Sequence, residues 1–79
     1  MSMFQLDLTT VKNHELRGRI LWVDHGEYET ILRVPKGARC TMWKRGAMRT
    51  VNVGGVSSIT CTISGRADQI NPLWAELRE

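Results

Sequence analysis

Large apolar and aromatic stretches are what this chain has least of. Among 79 residues there are three Trp, one Tyr and one Phe, and no apolar run is longer than Ile20-Leu21-Trp22-Val23. Such a sequence has no stretch long enough to span a bilayer as a helix. The opening Met-Ser-Met-Phe-Gln-Leu-Asp has neither the basic start nor the apolar middle of a secretory signal, so a cytoplasmic protein is expected. Cysteine is scarce as well. Cys40 and Cys61 are expected as reduced, partly buried thiols rather than a disulfide. With His14 and His25 they make a formal Cys2His2 count. Neither pair has the short spacing that presents two ligands to zinc from one turn, so no metal is expected. Chemistry-bearing motifs are missing too. Gly54-Gly55-Val56-Ser57-Ser58 has no following lysine and reads as a bulge, not a phosphate cradle. No nucleophile, base and stabiliser occur in one constellation, so neither an enzyme nor a cofactor is expected.

Acidic groups are absent from a long central block. Residues 1–29 hold Lys12, Arg17 and Arg19 against Asp7, Glu15, Asp24, Glu27 and Glu29, and then no acid occurs before Asp68. Into that gap fall Arg33, Lys36, Arg39, Lys44, Arg45, Arg49 and Arg66, so a formal net charge of +3 conceals a strongly basic segment. Local field, not total charge, steers a charged partner, and such a block fits a polyanion as well as an ordinary solvated face.

What is present reads as a meander of short strands. Phe4 to Thr10 alternates at period two with Phe4, Leu6 and Leu8 on one face. Glu15 to Asp24 reads as one strand bent or bulged at Gly18. Tyr28 to Val34 gives a third, stopped by Pro35-Lys36-Gly37. Arg39 to Trp43 and Met48 to Val53 follow around a basic hairpin tip. Ser58 to Ser64 alternates again, with Ile59, Cys61 and Ile63 on one side. Asn71 as N-cap and Pro72 at the first helical position predict a short helix over residues 71–78, docked through Leu73, Trp74 and Leu77. The expectation is an all-β fold in one domain over 1–79: a small, strongly bent β-barrel of about five to six strands with a short C-terminal α-helix. Trp22 and Trp74 are assigned to the core.

Two segments carry a family resemblance. Leu16-Arg17-Gly18-Arg19-Ile20-Leu21-Trp22-Val23-Asp24 resembles the first Sm motif of the Sm-like (LSm) family of RNA-binding proteins. Met42-Trp43-Lys44-Arg45-Gly46-Ala47-Met48 is similar to the second. The resemblance covers roughly residues 4–53. It implies a bent five-stranded barrel, rings closed by pairing of edge strands, and motif loops that line an RNA-binding pore. The sequence departs from the family pattern in having its helix signal at the C-terminal end, Tyr28 where an asparagine is usual, and Gly26 where an aromatic is usual.

Charge placement supports nucleic-acid binding independently of the family. Lys44 and Arg45 at a hairpin tip, flanked by Arg39 and Arg49, offer planar and point cations to phosphate. Trp43 is read either as core or, with Tyr28, as a stacking face for bases. With Asp24 and His25 of the neighbouring turn these residues form the candidate interface for single-stranded RNA or DNA. The chain's thin core and open strand edges suggest a homo-oligomer. The rival reading is a protein-binding module whose basic hairpin or edge strand docks on an acidic protein partner.

Overall fold

In the computed structural model, described for residues 2–54 and 59–78, seven strands and one helix make two sheets around one core. In chain order the strands are β1 (Ser2–Asp7), β2 (Asn13–Arg17), β3 (Ile20–Asp24), β4 (Glu29–Arg33), β5 (Arg39–Arg45), β6 (Met48–Gly54) and β7 (Ile59–Arg66). The helix, α1, spans Ala67–Leu77. One sheet has the order β1-β7-β6-β5 and the other β2-β3-β4. Hydrogen bonding closes neither sheet into a barrel among the described residues. The expected sequence glycine break at Gly54-Gly55 lies partly outside them.

Each alternating segment becomes a strand with one face inward. Leu6, Val51, Val53, Cys61 and Ile63 from the larger sheet meet Leu21 and Val23 of β3 in a single core, completed by Leu8 and Val34 from the connections. Ile70, Leu73 and Leu77, at helical spacing, cover it from α1, and Trp74 packs at its margin. No buried polar or charged residue interrupts this core among the described residues, so its stability rests on apolar burial.

The structure corrects four expectations. The segment Glu15 to Asp24 is two strands, not one bent strand. Gly18 has φ +60° and Arg19 a negative φ, the signature of a two-residue type II′ turn, so the chain reverses completely there. The same device, Gly46 at φ +59° followed by Ala47, joins β5 to β6. Second, the strands are not a simple meander: β1 lies parallel to β7, with Ser2 opposite Ile59 and Asp7 opposite Ser64. Third, α1 begins four residues before Asn71. The Gln69 side chain accepts the Arg66 N–H at 2.8 Å, and the Ala67 N–H donates to the Ala47 carbonyl at 2.9 Å, so the first-turn donors are met without Asn71. Pro72 therefore sits inside the helix. Fourth, Trp22 is not in the core. It lies half-buried on the outer face of β3, where its indole N–H donates to Glu29 Oε2 at 3.0 Å.

Candidate nucleic-acid interface

Strand pairing divides the larger sheet into two chemically different faces. Its inner face is the core. Its outer face is a series of cross-strand rows set by the register: Asp7, Ser64, Thr50 and Trp43 form one, and Gln5, Thr62, Asn52 and Thr41 the next. Beyond Trp43 lies a row of Arg66, Met48 and Arg45, and Arg39 stands at the other end of β5. Small hydroxyl and amide groups thus carpet the middle, with arginines at both ends of β5. Thr62 donates its hydroxyl to Asn52 Oδ1 at 3.1 Å, which ties neighbouring strands within the carpet.

A cleft of about 570 Å³ opens on this face. Gln5, Asp7, Thr50, Thr62 and Ser64 form its floor, and Thr10, Val11, His25 and Tyr28 wall it. The wall is brought there by the β3–β4 turn. Lys12 N–H donates to the Asp24 carbonyl and His25 N–H to the Tyr28 carbonyl, at 2.8 and 2.9 Å, which close the turn against the connection from β1. Within it the His25 and Tyr28 rings stack with centroids 4.3 Å apart and planes 18° apart, and His25 Nε2 lies 2.9 Å from Thr30 Oγ1. Those contacts fix the ring pair in one orientation. Tyr28 nevertheless keeps 63% of its surface exposed and Trp43 58%, so each offers a ring face to solvent.

The structure therefore brings five of the eight candidate residues to one side of the molecule: Arg39, Trp43 and Arg45 on the sheet face, and His25 and Tyr28 beside it. The other three stand apart. Lys44 and Arg49 are opposite one another in the register but on the side of the sheet that carries the core. Arg49 Nη1 donates to the Gly46 and Met48 carbonyls at 2.7 and 2.8 Å, so this guanidinium stitches its own hairpin. Asp24 is a turn-former. Its carboxylate accepts the Gly26 N–H at 2.8 Å, and its side chain lies on the outer face of the other sheet.

Reading by charge and aromaticity missed the carpet itself. Its signal was present in the sequence: Thr60, Thr62 and Ser64 alternate with the apolar side of β7, as Thr50 and Asn52 do in β6. Arg66 is counted in the sequence as charge only, and the β5-β6-β7 register puts it in one row with Arg45, across Met48. In comparisons with known proteins, no family model matches the chain, nor does any curated protein or solved structure.

Proposed function

We propose that the protein binds single-stranded nucleic acid, RNA before DNA, across the outer face of β1-β7-β6-β5. The observation that carries this is the joint placement of exposed Trp43 and Tyr28 beside a floor of hydroxyl and amide groups with one carboxylate, Asp7, at its β1 edge, and with Arg39, Arg45 and an Arg66 paired to Asp68 at its ends. A single strand needs these three things at once. Aromatic faces stack bases at about 1–3 kcal/mol each, cations follow the backbone, and hydroxyls and amides pair with base edges or the 2′-hydroxyl. On this reading the two sheets are opposing walls of a small bent barrel of the Sm-like kind, and the Met42–Met48 segment supplies its projecting hairpin. The protein acts by binding, without catalysis.

The test is fluorescence anisotropy of a labelled oligouridylate titrated with nuclease-treated protein over a series of salt concentrations. Affinity is expected to fall with salt by about 0.7 in log–log slope per phosphate contact. The double variant Arg39→Gln/Arg45→Gln should flatten that slope by roughly 1.4, since two contacts are lost. Absence of salt-sensitive binding to RNA or DNA at micromolar protein would reject the reading. The open edge of β5 would then be assigned to an acidic protein partner.

A further inference from the structure

The outer face of the smaller sheet is not used by the nucleic-acid reading, and its composition is unusual for a surface. The register places three rows across it. Asn13, Asp24 and Glu29 form one end, Glu15, Trp22 and Ile31 the middle, and Arg17, Ile20 and Arg33 the other end. Nothing in the described residues covers the middle: Ile31 keeps 69% of its surface exposed. At the basic end an open concavity of about 400 Å³ is lined by Arg17, Arg19, Arg33 and Lys36 over Ile20 and Pro35. At the acidic end Glu27 of the β3–β4 turn adds to Asp24 and Glu29. Arg17, Arg33 and Lys36 thus stand at one end along the strands and Asp24, Glu27 and Glu29 at the other, with Glu15 in the middle row, while the Arg19 guanidinium is taken up by the Val34, Glu76 and Pro35 carbonyls of its own chain.

We propose that this face is the contact surface for a second copy of the same chain, in a symmetric dimer. A two-fold axis lying in the plane of the contact and perpendicular to the strands reverses strand direction between the copies. That operation sets the acidic row of one copy over the basic row of the other, and does so twice. Arg33 of each copy meets Glu29 of the second copy, while the middle row meets its own equivalents: Trp22 and Ile31 at the centre, and Glu15, each copy's carboxylate paired with Arg17 of the same copy, at the β2 edge. Self-complementarity of this kind is what an isologous contact requires. The alternative orientation, strands running in the same direction, places acid on acid and base on base. Juxtaposed like charges oppose it, so the charge layout selects register as well as partner. Partial salt bridging within the copy does not remove the layout. Arg17 pairs with Glu15 at 2.6 Å with both side chains more than half exposed, a contact worth little to either residue.

The sheet footprint is small. Three strands about 4.8 Å apart and five residues long at about 3.3 Å each cover roughly 15 by 16 Å before the flanking turns are added. That is about 240 Å² a side, well short of the roughly 600 Å² a side at which specific interfaces begin, so the flanking turns must add to it and the dimer is expected to be weak, in the upper micromolar range, and to weaken further as salt rises.

Sedimentation equilibrium of the nuclease-treated protein tests this from 1 µM to 1 mM, a range of about a thousandfold set to bracket micromolar association. The expected result is a concentration-dependent passage from the 9.0 kDa monomer to twice that mass. Ile31→Glu should hold the chain monomeric with an unchanged circular dichroism spectrum, because the residue is exposed. Arg33→Glu and Glu29→Arg should each weaken the dimer by about tenfold or more, through like charges brought face to face twice. The exchanged double variant Glu29→Arg/Arg33→Glu should recover most of the loss, which a general surface-charge effect would not do. A monomer throughout the range overturns the proposal. A dimer indifferent to Ile31→Glu, or single variants that the double exchange fails to rescue, overturns it too and moves the contact to an open strand edge.

Discussion

Trp43 separates binding from stability more cleanly than any other side chain. It lies on the face of β5 away from the core and is more than half exposed. Trp43→Ala is therefore expected to lower affinity for single-stranded RNA by about 1–3 kcal/mol with little change in salt slope or melting temperature. Parallel anisotropy and thermal unfolding would show it. Cys61 behaves in the opposite way. Burial pushes its thiol from the ordinary 9.0 up to about 11. Its folded form holds the proton that the unfolded chain releases, so stability is full below about pH 9 and declines as pH rises toward 11. Cys61→Val should remove that part of the alkaline slope, read as the difference between urea unfolding of the two proteins at pH 8, about one unit below the window, and pH 10.5, about half a unit inside its upper end. Cys40 is shifted in the same direction by burial, with Arg19 opposing it.

Among the elements, α1 shows how a strong local signal can mislead. Asn71-Pro72 is a good helix start, yet Arg66 and Gln69 make an earlier one because Gln69 also donates to the Leu8 carbonyl at 3.2 Å and so fastens the first turn to the sheet. The tertiary contact decides. As a result Pro72 occupies a position where a backbone N–H would reach the Asp68 carbonyl, and the helix lacks that bond. Pro72→Ala should raise stability, by about 1 kcal/mol or more, whereas Gln69→Ala should lower it by about 1 kcal/mol. For a domain of this size each kilocalorie moves the midpoint by about 4–8 °C, which differential scanning calorimetry resolves.

The same contrast explains what was legible. Periodicity marked β4, β5, β6 and β7 within a few residues, because each has one face on the core and must alternate. It also put Cys61 and Ile63 inside. It said nothing about which strands pair, so the β1–β7 neighbourhood and the hydroxyl carpet it completes stayed hidden. Both Arg-Gly turns were visible as glycines, but only φ distinguishes a bend within a strand from a reversal between two. The candidate residues were chosen by chemistry. Chemistry picked Trp43, Tyr28, Arg39 and Arg45, which the fold brings to one side of the molecule, and equally Lys44 and Arg49, which it does not, since one residue of offset along β5 or β6 decides the face.

At the scale of the molecule, the two proposed surfaces lie on outer faces of different sheets and are coupled only through the shared β3–β4 turn. If both readings hold, Ile31→Glu leaves affinity for an oligonucleotide that fills one site unchanged. The same variant should bind a strand long enough to reach two sites about 10-fold more weakly or worse, because the second contact is no longer intramolecular. Anisotropy with short and long oligouridylates measures the two in one experiment.

The parallel pairing of β1 with β7 has a kinetic consequence. Ser2 and Ile59 are brought together across a separation of 57 residues, 59 minus 2 in the register. During synthesis β1 has no partner until residues 59–64 of β7 have been made. The β2-β3-β4 unit, joined by short connections, contains only local pairings and can assemble while β1 waits. Refolding is thus expected to show early formation of the smaller sheet and late capture of β1, with β7 as the template. Until that capture the edge of β7 is bare, so the interval before it is when this protein is most exposed to misassociation.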